Sequence, residues 1–176
     1  YTKDDNGINA NDTVEYFAGR KIVVFALPGA FTPTCSARHL PTYIEHHDAL
    51  KLAGVDAIAC LAVNDAHVMH AWAAAEGATG KIDMLADSTS AVSAALGILF
   101  DMGGILGKRA SRCAFIVEDC VVGHVFMEEV GAFEVSDAGT VLAALTASRL
   151  SDIKIAAPLR LQDRHTAHSR DVLHVP

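Results

Sequence analysis

The side chains best suited to covalent chemistry in this 176-residue chain are four cysteines, Cys35, Cys60, Cys113 and Cys120. No two of them form a Cys-x-x-Cys pair, so the dithiol pattern of a disulfide-exchange enzyme is missing. None stands at zinc-finger spacing from a histidine. Cys35 differs from the rest in its surroundings. It closes the string Pro28-Gly29-Ala30-Phe31-Thr32-Pro33-Thr34-Cys35, and a helical pattern begins at the cysteine. Free backbone N–H groups and the helix dipole favour an anion in the first turn of a helix. The thiolate is the nucleophilic form of a cysteine, and such a position promotes it. Thr32, three residues earlier, offers a hydroxyl to a sulfur anion or to a substrate oxygen, while Pro28 and Pro33 stiffen the loop and supply apolar walls.

Holding that loop requires a strand before it and a helix after it. Lys21–Leu27 is a short apolar, β-branched run bounded by Gly19 and Pro28, the pattern of a buried strand. Cys35–Ala53 follows helical spacing, with Pro41 expected to kink it and Gly54 to end it. Val55–Val63 predicts a second buried strand, and Asn64-Asp65 a cap for the helix Ala66–Glu76, closed by Gly77. A short strand at Ile82–Leu85, a helix at Asp87–Leu96 and a glycine-rich loop at Gly97–Gly107 follow. Cys113–Val117 and Val121–Glu128 read as a hairpin, and Ser136–Ser148 as a last helix. The polar opening Tyr1–Gly19 carries one turn signal, Asn6-Gly7.

This order, β-α-β-α-β-α-β-β-α, predicts a thioredoxin-like α/β fold with a central mixed sheet flanked by helices. Residues 1–148 form the expected domain. Arg149–Pro176, without periodicity and rich in Arg, His and Asp, reads as a tail that is disordered or loosely docked.

Composition narrows the function classes. Hydrophobic residues make up 51% and charged residues 20%, enough apolar content to bury a core without staples. Net charge is −7, with 14 Lys+Arg against 21 Asp+Glu, which argues against a nucleic-acid partner. No apolar run is long enough to span a bilayer as a helix, so no membrane partner is expected. Scattered cysteines fit an intracellular protein, cytoplasmic or organellar, and the start at Tyr1 leaves a removed leader open.

The string Pro28–Cys35 resembles the peroxiredoxin active-site pattern, Pro-x-x-x-Thr/Ser-x-x-Cys, and its continuation through Ser36-Ala37-Arg38-His39-Leu40-Pro41 is similar to the type II branch, also called type 5. Gly54–Trp72, Leu85–Ala91 and Ser111–Cys120 match in the same order, so the resemblance runs from about residue 18 to about residue 145. It implies a thiol-dependent peroxidase acting on hydrogen peroxide and organic hydroperoxides, with no metal, haem, flavin or other cofactor. Cys35 would be the peroxidatic cysteine and Thr32 would orient peroxide and thiolate. Pro28 would shield the sulfur from water. Arg112 would favour the thiolate as a fixed cation and hold the substrate oxygen. Electrons would come from a glutaredoxin/glutathione or thioredoxin system, and the chain would dimerise through the face bearing the active-site loops.

For Cys60, inside an apolar strand, two readings stand: a core thiol, or the resolving cysteine its offset from Cys35 matches in plant-like members. Its place ~13 Å down its strand predicts that the reduced sulfurs are too far apart to bond unless the Cys35 helix unwinds. Animal members resolve through a later cysteine, near where this chain has Ser136. Cys113 is expected to be structural, Cys120 a bystander, and His39 a support for the loop rather than a general base. The pairs His46-His47 and His67/His70 read as solvated surface. Two competitors remain, a non-catalytic redox-sensing module and a thiol–disulfide oxidoreductase, the latter weakened by the missing Cys-x-x-Cys.

Overall fold

The computed structural model describes residues 1–156, and side chains through Ser148. The polar opening is not a bare loop. Strands β1 (Thr2–Asp4) and β2 (Gly7–Asn9) form a hairpin, whose turn is held by the Asp4 carboxylate accepting from the N–H groups of Asn6 and Gly7. Helix α1 (Thr13–Phe17) follows, capped by the Asp12 carboxylate. Strand β3 (Lys21–Ala26) leads into the Pro28–Thr34 loop.

The helical segment expected over Cys35–Ala53 arrives in pieces. Cys35–His39 is a π-helical turn, then come α2 (Leu40–Glu45) and α3 (His47–Leu52). Pro41 gives the physical reason for the first break. It has no N–H for the Ala37 carbonyl and its ring would crowd that group, and the wider turn before it makes room. Gly54, at φ 88, ends the segment.

Strand β4 (Ala57–Ala62) is followed by α4 (Ala66–Glu76), where Asp65 caps the N–H groups of His67 and Val68 and Gly77 closes the helix at φ 71. After β5 (Asp83–Ala86), the helix expected from Asp87 shrinks to α5 (Ala91–Ala95). Ser90 adopts φ 60 and interrupts it, while the Asp87 carboxylate reaches forward to the N–H groups of Val92 and Ser93. The glycine-rich loop also holds more than expected: β6 (Leu99–Asp101) pairs with β7 (Lys108–Ala110), the turn between them passing through Gly103 and Gly107 at positive φ. The hairpin β8 (Cys113–Glu118) and β9 (Val121–Met127) follows. Helix α6 (Ala138–Ala156) continues past the expected end at Ser148, and residues 157–176 of the anticipated tail lie outside the described residues.

The main sheet has the order β5-β4-β3-β8-β9, parallel from β5 to β3 and antiparallel beyond. This is the expected thioredoxin-like architecture, a mixed sheet flanked by helices. The inner strands β3, β4 and β8 are buried on both faces, which explains why β3 and β4 read as continuous apolar runs, while edge strand β9 is largely exposed. Val23, Phe25, Ile58 and Cys60 point to the face that also holds Cys35, Tyr43 and Trp72. Val24, Ala59, Leu61, Cys113 and Phe115 point to the other. Among the described residues, no helix is long and apolar enough to cross a membrane.

Candidate active site

Sheet register brings the site together. Strand β3 runs toward the Pro28 loop, and its last residue, Ala26, lies opposite Cys113, the first residue of antiparallel β8. Arg112, one residue earlier, is therefore delivered to the edge where the Cys35 helix starts. Helical backbone begins at Pro33, a favoured first-turn position for proline, and the Ser36 N–H bonds the Thr32 carbonyl at 3.0 Å. Cys35 stands in the first turn, where backbone N–H groups have no intrahelical acceptor.

The loop itself is tightly tied. Thr32 donates its hydroxyl to the Gly29 carbonyl at 2.8 Å, and the Ala30 N–H donates to Asn64 Oδ1 at 3.0 Å. A β-carbon on Gly29 would come within 2.9 Å of Arg109 Nη1 and 3.1 Å of Asn64 Oδ1, so this position admits only glycine without a shift. Phe31 adopts φ 60 and remains exposed. For a non-glycine residue that conformation costs about 1–2 kcal/mol, and such strain gathers at functional loops. Pro28 is half-buried at the strand end, its carbonyl accepting from Arg109 Nη1 at 3.4 Å.

The Cys35 sulfur is buried, and both Nη1 and Nη2 of Arg112 donate to it at 3.7 Å. Nη1 also donates to Nδ1 of His39 at 3.1 Å. The other ring nitrogen, Nε2, donates to the Ser136 carbonyl at 3.1 Å. These two contacts select the neutral imidazole with its proton on Nε2, accepting at Nδ1. Burial, then the neighbouring Arg112 cation, lowers the His39 pKa to about 3, against the opposing pull of the Ser136 carbonyl, Glu128 and Asp137. His39 is therefore no general base at neutral pH. Tyr43 stacks on Phe25 with ring centroids 4.0 Å apart and donates to the same Ser136 carbonyl at 2.8 Å.

The remaining cysteines separate by environment. Cys60 lies opposite Phe25 in the sheet and is fully buried, and burial, with the Cys35 sulfur adding to it, pushes its thiol well above the ordinary value. Cys113 faces the opposite side of the sheet, and burial pushes its thiol up to about 12. Cys120 is exposed in the β8–β9 turn. All four are free thiols. His46 and His70 each turn Nδ1 to a backbone carbonyl, of Thr42 and Lys3 respectively.

Residues 28, 32, 35 and 112 thus share one edge of the sheet. Sequence reasoning passed over several of their neighbours. Arg109 ties three loops, donating to the carbonyls of Leu106, Pro28 and Val63. Asn64 could have been found, because it follows a parallel strand at the carboxyl edge where α/β sites gather. Arg109, Glu128 and Phe133 carried no local signal, since their partners are remote in sequence.

A family model described as Redoxin matches residues 2–142. The chain is 45% identical over 146 residues to peroxiredoxin-2E-2, chloroplastic, from Oryza sativa subsp. japonica, covering 80% of this chain and 64% of that relative. It is 40% identical over 141 residues to peroxiredoxin sll1621 from Synechocystis sp., covering 76% of this chain and 74% of the relative. Against the chloroplastic peroxiredoxin-2E of Arabidopsis thaliana the chain spans 56% of the relative's length, so it covers less than two thirds of either plant protein. Among solved structures, reduced Prx3 in complex with H2O2 from Vibrio vulnificus superposes with a TM-score of 0.80 at 47% identity, covering 82% of this chain and 90% of that one.

Proposed function

Since the chain belongs to the peroxiredoxin family, we propose that it is a thiol-dependent peroxidase whose nucleophile is Cys35. The observation that carries this reading is the Arg112 guanidinium, two of whose donors point at the Cys35 sulfur from 3.7 Å. A fixed cation at that range favours the thiolate.

The Cys35 thiolate attacks the terminal peroxide oxygen. An S–O bond forms as the O–O bond breaks, leaving Cys35 as sulfenic acid. The departing hydroxide or alkoxide takes a proton and leaves as water or alcohol. Arg112, Thr32 and first-turn N–H groups meet the charge that develops on the two oxygens, a preorganised electrostatic site. The Thr32 hydroxyl gives its one proton to the Gly29 carbonyl at the loop's inner wall, so in this arrangement its oxygen accepts from the peroxide O–H, and it donates to developing charge once it turns from Gly29. Pro28 walls the site against water. Hydrogen peroxide and organic hydroperoxides are the substrates, and one relative's structure is of a complex with H2O2.

A second thiol condenses with the sulfenic acid, forming a disulfide and releasing water. Two sources compete. An external thiol, from glutathione with glutaredoxin or from thioredoxin, needs only access to Cys35. Cys60 needs the π-helical first turn to unwind, because its sulfur is fully enclosed in the core. We assign the protein to an intracellular compartment, cytoplasmic or organellar, in keeping with relatives named chloroplastic. It acts as a homodimer through the loops around Cys35.

The test is turnover of peroxide with a small-thiol or thioredoxin-type reductant, followed by non-reducing peptide mapping. Wild type should turn over many equivalents, and Cys35→Ser none, with the fold intact. Residual turnover in Cys35→Ser would remove the assignment, and a single oxidation without turnover would leave a redox-sensing module instead. A Cys35–Cys60 peptide identifies the internal route, and a Cys35 mixed disulfide the external one.

A further inference from the structure

The guanidinium that faces Cys35 has no carboxylate partner among the contacts described above. What holds it is a buried carboxylate one step further away. Glu128 follows β9 and is 9% exposed. Its Oε1 accepts from the N–H groups of Glu134, Val135 and Ser136 at 2.9, 2.8 and 2.7 Å, and from the Ser136 hydroxyl at 2.8 Å. Oε2 accepts from Glu134 N–H at 3.0 Å. Glu128's own N–H donates to the Arg112 carbonyl at 3.1 Å. One residue therefore fixes the backbone of Arg112 and closes the loop over residues 129–136.

That loop supplies two of the supports around Arg112. The Ser136 carbonyl takes the Nε2 proton of His39, which leaves His39 Nδ1 free to accept from Arg112. Phe133 lies under the Arg112 guanidinium at 5.8 Å and against the His39 ring at 5.0 Å. Four donors converge on this one carboxylate in charge-assisted hydrogen bonds, the Glu134 N–H being shared between its two oxygens.

We propose that Glu128 is a positioning residue for the peroxidatic site, locking the 129–136 loop so that Ser136 and His39 aim Arg112 at the Cys35 sulfur. The inference deepens the peroxidase reading and rests on it for its effect on rate. The hydrogen bonds agree with the state of the carboxyl. Burial pushes it up, and the donors from Ser136, Val135 and Glu134 outweigh that, holding it below the usual carboxylate range. The groups that bear on this site are Arg112 before β8, His39 in the helical turn, Cys60 on β4, and Glu128 and Asp137 at the two ends of the loop.

The experiment compares Glu128→Ala, Glu128→Asp and Glu128→Gln with wild type. It reads two quantities in the full chain: the rate of Cys35 oxidation by hydrogen peroxide, and the pH profile of Cys35 alkylation by iodoacetamide. In Glu128→Ala the alkylation profile moves to higher pH, and oxidation slows by at least about tenfold, the scale on which a small misplacement of a catalytic group acts. Glu128→Gln, which retains an acceptor at Oε1, the oxygen that all four donors reach, stays within about threefold of wild type. A folded Glu128→Ala protein with the wild-type profile and rate overturns the proposal. So does a Glu128→Gln protein as impaired as Glu128→Ala. Should the alanine variant not fold, Glu128→Asp carries the test, since it draws the carboxylate back by about 1.5 Å and a wild-type profile in it is equally fatal. If wild type does not turn over peroxide the peroxidase reading fails alone, because the alkylation profile needs no peroxide.

Discussion

At the scale of single residues, the site couples one sulfur, one cation and one neutral imidazole. Arg112→Ala should slow peroxide attack by roughly 100-fold, the order seen when a preorganised charge-stabilising donor is removed. Arg112→Lys should recover only part of this, because an ammonium cannot offer two parallel donors to sulfur while also bonding His39. Stopped-flow oxidation of Cys35 measures it, and a full rate in the alanine variant would show that Arg112 does no work at the sulfur. His39 makes a separate prediction for stability. Its pKa falls from 6.5 unfolded to about 3 folded, so the unfolded chain binds the proton more readily. Its stabilising share is complete above pH 6.5 and is lost as pH drops toward 3, a change of several kcal/mol by linkage. Urea midpoints across that range should fall more steeply for wild type than for His39→Gln. Parallel curves would mean that His39 is charged or exposed in the native protein.

At the scale of elements, the strand-to-helix junction is held by neighbours that come from other loops. Gly29→Ala tests this. The added carbon meets Arg109 Nη1 at 2.9 Å and Asn64 Oδ1 at 3.1 Å, and moving either breaks bonds to Pro28, Val63 or Ala30. A cost of about 1–3 kcal/mol in a urea melt is expected, the usual range for overpacking, together with slower Cys35 oxidation. A variant equal to wild type in both would mean that the loop has slack. The helix after the junction was legible in outline, since its apolar spacing and Gly54 are local signals. Its division into a π-helical turn and two short helices was not. Pro41 announced a disturbance, but which geometry relieves a proline depends on what packs against that turn. The β6–β7 hairpin was likewise hidden, because three-residue strands leave too few alternations to read.

At the scale of the whole molecule, three exposed apolar side chains sit on loops that reach the site: Phe31 beside Cys35, Ile105 in the turn before β7, and Val130 in the segment closed by Glu128. Ile105 is 94% exposed. A homodimer formed through this face would cover them. Ile105→Glu should then raise the dimer dissociation constant by at least about tenfold in sedimentation equilibrium, equivalent to ~1.4 kcal/mol. A monomeric wild type, or a dimer indifferent to the charge, would move the interface elsewhere.

The thioredoxin-like order of strands and helices, and the place of Cys35 at a strand-to-helix junction, follow from the amino-acid sequence alone. Apolar runs, proline and glycine punctuation and first-turn residues all act within a few positions of one another, so they can be read without knowing the fold. The environment of the sulfur has no such local signal beyond its own loop, and the roles of Arg112, Thr32 and Pro28 around it come from the sequence only through the family resemblance. Arg112 meets Cys35 only because β8 pairs antiparallel with β3 and starts where β3 ends. His39 is neutral because burial and the neighbouring Arg112 cation disfavour its charged form, and its tautomer is set by Arg112 and Ser136 on its two nitrogens. Cys60 is sealed in the core only because β4 lies between β3 and β5 beneath the helices. Each of these depends on contacts between segments remote in sequence, whose pairing is set by sheet order and register, and those are decided by the packing of the whole chain at once.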